Sequence, residues 1–128
     1  LRIHPLIKRY IHKKLIKKTA KLNNLILSNS TILEDSFKSI YAIYRGSSSI
    51  IESINHGCLP INYCDNIELN TDPLHELNDI IKISSYEDFC NALNVSYDKS
   101  YDKFKIHNIR EYCSSIYSKL DYDVICKL

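Results

Sequence analysis

The sequence predicts an α/β domain: a mostly parallel sheet of about five strands in three layers with its helices, closed by C-terminal helices. Three observations predict it. Short β-branched and aromatic runs alternate along the chain with stretches of helical periodicity, the pattern of a parallel sheet with crossover helices. The only two glycines, Gly46 and Gly57, bracket one amphipathic stretch, so that strand, Gly-Ser turn, helix, glycine stop and strand follow in order. The length of 128 residues suits a single domain, residues 1–128, around one core.

Taken from the start, Leu1–His4 reads as a strand closed by Pro5. Leu6 to Leu22 reads as a helix: Ile7, Ile11 and Leu15 recur every four residues, while Lys8, Arg9, Lys13, Lys14, Lys17 and Lys18 fill the other side. Asn24–Leu27 is expected as a second strand. Ser30 and Thr31, followed by Glu34 and Asp35, carry the Ser/Thr cap and early acids of a helix start. Ile40–Tyr44 is rich in strand formers. Ser48–Asn55 is a helix with Ile50, Ile51 and Ile54 on its core side, and Ser49 and Glu52 have capping-box spacing. Pro60–Tyr63 and Ile80–Ile83 complete the strands, separated by a polar loop over Asp65–Pro73. Ser84 and Ser85 with Glu87 and Asp88 open a helix carrying Phe89 and Leu93, and a last helix runs from Lys103 to Leu120.

Bulk properties narrow the function. The net charge of +2 is too small to argue for nucleic acid, and the ten tyrosines are scattered, forming no stacking platform. No apolar run reaches the roughly 18–20 residues of a membrane span. Five cysteines without a C-x-x-C pair support neither a zinc site nor a disulfide framework, so reduced thiols in a cytoplasmic protein are expected. His12, His56, His75 and His107 show no metal-ligand spacing. Asp65, Glu68 and Asp72 match no EF-hand loop and read as a solvated loop, so no metal is expected. The absence of methionine and the opening in a strand suggest a piece of a larger protein.

Ligands in parallel α/β folds sit at the carboxyl ends of strands, near helix N-termini. That rule directs attention to the segments after His4, Arg45 and Tyr63. Gly46-Ser47-Ser48-Ser49 is the chief candidate. A glycine there permits close backbone approach, and the amides and hydroxyls that follow can donate to phosphate oxygens. The competing reading is a serine helix cap, and spacing alone leaves the two even. The segment is neither a Walker loop nor a dinucleotide fingerprint.

The stretch Tyr44-Arg-Gly-Ser-Ser-Ser-Ile-Ile-Glu-Ser-Ile-Asn-His-Gly-Cys-Leu-Pro-Ile-Asn-Tyr63 resembles the donor-site segment of bacterial GT-B glycosyltransferases. Arg2-Ile3-His4-Pro5 resembles the R-x-H-P strand end of surface-polysaccharide members, and Glu68 to Leu77, with Asp72-Pro73-Leu74, resembles a loop of the capsule and lipopolysaccharide members. The resemblance implies a Rossmann-like C-terminal half that binds a nucleotide-sugar, the donor being substrate rather than cofactor. It assigns Ser47 and Ser48 to the donor phosphate, with Gly46 and Ser49 in the same turn, Glu52 to the ribose hydroxyls and His4 to the nucleotide. Arg45 is a further candidate, to pair with a phosphate or with one of the loop acids Asp65, Glu68 and Asp72. Glu52 and His4 each keep a plainer reading, as a helix-capping acid and as a strand-end histidine. Ser53 departs from the alanine usual in the family.

By the same resemblance the enzyme transfers a sugar to a saccharide or lipid-linked acceptor in cell-surface polysaccharide synthesis. The catalytic base comes from the other half, so this half alone is expected to bind without turnover. Nucleotide-sugar 2-epimerases share the architecture and form a second reading; a non-catalytic α/β interaction module is a third. The lysines between Lys8 and Lys18 read as a solvated face or as a peripheral contact with a membrane's inner surface.

Overall fold

The computed structural model describes Arg2 and residues 9–64, 72–97 and 103–116. The described elements are α1 (Arg9–Thr19), α2 (Ile32–Phe37), β1 (Tyr41–Tyr44), α3 (Ser49–Asn55), β2 (Leu59–Tyr63), β3 (Ile81–Ile83), α4 (Tyr86–Tyr97) and α5 (Lys103–Ile116). The strands form one open parallel sheet in the order β1-β2-β3. Tyr41 pairs with Leu59 and Tyr44 with Asn62, while Ile61 pairs with Ile81 and Tyr63 with Ile83.

The α/β class and the parallel sheet stand, but the described residues hold three strands, not five. The expected strand Asn24–Leu27 is absent. Asn24 lies in a turn, the Leu25 amide donates to the Leu22 carbonyl at 3.3 Å, and Ile26 is 80% exposed. An extended strand needs a neighbouring strand to form a ladder, and this stretch is not part of the β1-β2-β3 sheet. The expected strand Leu1–His4 lies outside the described residues apart from Arg2, which is in no regular element.

Alternation along the strands divides the core between the two sheet faces. Tyr44 and Ala42 look toward a cluster of Ile50, Ile51 and Ile54 from α3 and Ile109 and Cys113 from α5, with Leu74 and Ile80. Ile61, Ile81 and Ile83 look the other way, toward Phe89 and Ala92 of α4. Ile54 and Ile61 are almost wholly buried.

Helix ends follow local chemistry. Thr31, in extended conformation, accepts a hydrogen bond from the Glu34 amide at 3.2 Å, and the Glu34 carboxylate accepts from the Thr31 amide at 2.8 Å. This reciprocal box starts α2, and the Thr31 hydrogen bonds hold the Glu34 carboxyl below its ordinary value. Asp88 plays the same part for α4, accepting from the Ser84 and Ser85 amides while its own amide donates to the Ser85 hydroxyl. At the end of α3, the Gly57 amide donates to Ile54 and the Cys58 amide to Ser53, a Schellman ending. Gly57 closes it at φ 103°, a conformation that costs a side-chain-bearing residue dearly.

Pro60 sits in the central strand without breaking the ladder. The Leu59 amide donates to the Ile40 carbonyl on the β1 side, so the Pro60 nitrogen faces β3. Pairing with β3 begins only at Ile61, so no ladder bond is forfeited.

Cys113 is fully buried, and burial pushes its thiol from 9.0 up to about 11. The folded state therefore keeps a proton that the unfolded chain releases. The stability so gained is complete below pH 9.0 and is lost as pH rises toward about 11. Urea denaturation across that window is expected to show falling stability, with a shallower fall in Cys113→Ala than in the parent. An unchanged slope would remove Cys113 as a cause.

Candidate functional site

All three strands point the same way, so their carboxyl ends, at Tyr44, Tyr63 and Ile83, gather at one edge of the sheet. The Gly46–Ser49 turn leaves this edge from β1. Gly46 adopts φ 63°, the left-handed region, which lets the chain turn sharply between the strand and α3. The Ile50 amide donates to the Ser47 carbonyl at 3.2 Å and the Ile51 amide to the Ser48 carbonyl at 3.1 Å, so α3 opens in a tight turn.

Ser48 is the N-cap of α3, yet its side chain makes no capping hydrogen bond. Its backbone is helical, φ −64° and ψ −18°, rather than extended. An N-cap side chain normally reaches the second or third helical amide from an extended residue. The Ser49–Glu52 box expected from spacing therefore does not start this helix. The Ser47 and Ser49 hydroxyls instead lie 2.7 Å apart, paired with each other. Ser48, Ser49, Arg45 and Glu52 are exposed, and Gly46 and Ser47 half-buried. His4 lies outside the described residues.

Directly beneath the turn is a buried polar cluster that sequence patterning misses. Tyr44 and Asn62 face each other in the β1–β2 register. The Tyr44 hydroxyl donates to Asp72 Oδ1 at 2.9 Å, Asn62 Nδ2 donates to Asp72 Oδ2 at 2.7 Å, and the Leu74 amide donates to Asp72 Oδ1 at 2.9 Å. The Cys64 thiol donates to Asn62 Oδ1 at 2.8 Å. Asp72 is 7% exposed, which corrects its assignment to a solvated loop. Its carboxylate ties Asp72 and Leu74 to the end of β1, two residues before Gly46. Burial is the main reason that the Tyr44 hydroxyl's pKa lies well above the ordinary tyrosine value, and Asp72 adds to it, so this hydroxyl stays protonated as a donor. The available sequence signal was an asparagine inside the apolar run of β2.

A cavity of about 790 Å³ runs along β1, within the usual range for small-molecule sites. Tyr44, Ser49 and Ser53 are among the residues that line it, with Arg2 and Asp35 also in its wall. Arg2 Nη1 donates to Asp35 Oδ2 at 2.8 Å, and the Ser28 hydroxyl donates to Asp35 Oδ1 at 2.7 Å. These contacts, Ser28 foremost, hold the Asp35 carboxyl below its ordinary value. Arg2 and Ser49, from two segments selected in the sequence, thus share one cavity wall. Gly46, Ser47, Ser48, Arg45 and Glu52 are not among its lining residues.

No group of His, Cys, Asp and Glu among the described residues is arranged to hold a metal. No helix among them is long and apolar enough to cross a membrane. Set against known protein families, curated proteins and solved structures, the chain matches none.

Proposed function

We propose that this chain is a Rossmann-like nucleotide-sugar-binding domain, the donor half of a GT-B glycosyltransferase of cell-surface polysaccharide synthesis. The observation that carries the reading is the Gly46–Ser49 turn. A left-handed glycine leads from a parallel strand into a helix whose serine N-cap makes no capping bond. A serine cap spent on its own helix would favour a purely structural module; these hydroxyls make no such bond.

In this reading the Ser47 and Ser48 hydroxyls and the amides at the start of α3 donate to the donor phosphate. Glycosyl transfer breaks the bond between the anomeric carbon and the phosphate oxygen as the acceptor oxygen bonds to that carbon. Negative charge grows on the departing phosphate, so the same donors stabilise the transition state more than the ground state. The acceptor's proton passes to a base in the other half, so the domain alone binds without transferring. Arg45 and Glu52, both exposed beside the turn, supply phosphate and ribose contacts, and His4 a contact to the nucleotide.

Calorimetric titration with UDP, CMP and GDP tests this. Saturable binding of one of them, with Kd below about 1 mM, is expected. Absence of binding by all three at millimolar concentration returns the serines to a structural role. Should a nucleotide-sugar be consumed without any acceptor, the epimerase reading replaces this one.

A further inference from the structure

We propose that the lysine face of α1 docks the protein on an anionic lipid surface. The charge distribution carries the argument first. Residues 1–33 hold eight of the seventeen Lys and Arg and no Asp or Glu, so all fifteen acids lie in the rest of the chain. The modest overall charge hides a strongly basic end joined to an acidic remainder. Lys13, Lys14, Lys17, Lys18 and Lys21 are all exposed. At 100° per residue the first four, all within α1, spread over one side, opposite half-buried Leu15 and buried Thr19.

Apolar groups set among the lysines point to lipid rather than another polyanion. Ile16 is 41% and Leu22 52% exposed, and both line the same hollow as the five lysines, about 960 Å³ in volume. Ammonium groups on long stems reach lipid phosphates while two branched side chains enter the acyl boundary, the arrangement of an interfacial helix. A nucleic-acid face would gain from arginine forks or stacked aromatics, and the described residues lining this hollow include neither. The acidic remainder of the chain is repelled by the same surface and so orients the protein with α1 toward the lipid.

Flotation with vesicles tests the proposal, using phosphatidylcholine alone and with about 30 mol % phosphatidylglycerol. Binding to the anionic vesicles only is expected, weakened at least tenfold when salt rises from about 0.05 to about 0.5 M. A variant carrying Lys13→Gln, Lys14→Gln, Lys17→Gln and Lys18→Gln should lose at least tenfold in partitioning. Ile16→Ser with Leu22→Ser should lose several-fold without changing the salt dependence. These side chains are exposed, so circular dichroism should match the parent. Equal binding to neutral vesicles, no binding to anionic ones, or tighter binding to duplex DNA or RNA of matched charge would each overturn the proposal. It does not depend on the donor reading: the lysine variant should titrate with nucleotide as the parent does, and a failure of either result leaves the other standing.

Discussion

An Asp72→Ala variant should lose on the order of 3–5 kcal/mol of stability in urea denaturation. The change removes the acceptor for three donors, the Tyr44 hydroxyl, Asn62 Nδ2 and the Leu74 amide. Tyr44 is 6% and Asn62 0% exposed, so water cannot readily replace what is lost. A domain of this size has only about 5–15 kcal/mol in total, so the loss consumes a large share. Asp72→Asn provides the contrast. Its amide oxygen still accepts from Tyr44 and Leu74, and a flip of Asn62 turns a donor–donor conflict into a bond, so about 1–2 kcal/mol should be lost. A cost below about 1 kcal/mol for Asp72→Ala would mean that the cluster does not hold the carboxyl edge together.

The second large effect concerns binding. Replacing Ser47 and Ser48 together with alanine should weaken nucleoside diphosphate binding by at least about a hundredfold, because hydrogen bonds to charged groups contribute about 1.5–3 kcal/mol each. Stability should change by less than about 0.5 kcal/mol, since the Ser48 side chain makes no capping bond and, among the described residues, the Ser47 hydroxyl pairs with its exposed neighbour Ser49. The dissociation of the two effects is the point. A cap would lose stability and leave binding alone; a phosphate contact does the reverse. Equilibrium denaturation and calorimetry on one preparation measure both.

The β1-α3-β2 unit was legible because several local signals agreed on it: β-branched and aromatic strand residues, the isoleucine stripe of α3, and glycines at both turns. Its observed bounds, Tyr41–Tyr44, Ser49–Asn55 and Leu59–Tyr63, differ from expectation by one residue at most. The starts of α2 and α4 were legible for the same reason, since Thr31 with Glu34 and Ser85 with Asp88 bond within their own turns. Identical spacing at Ser49 and Glu52 misled, because a capping box also needs an extended N-cap, and Ser48 is helical. That conformation follows from the left-handed turn at Gly46, which spacing does not encode. Asn24–Leu27 misled because strand propensity carries no information about a partner strand. Asp72 was read as solvated because its burial depends on Tyr44 and Asn62, both distant in sequence. Of the candidate site, the turn and its serines were legible; the polar cluster beneath it and the cavity shared by Arg2 and Ser49 arise only from tertiary packing.

The most direct test of the central claim follows backbone amide resonances during a nucleoside diphosphate titration. Saturable shifts concentrated on Gly46, Ser47, Ser48 and Ser49, and abolished by the Ser47→Ala, Ser48→Ala pair, are the expected result. An unchanged Gly46–Ser49 turn at millimolar nucleotide, or shifts confined to another surface, would contradict a phosphate site at this turn.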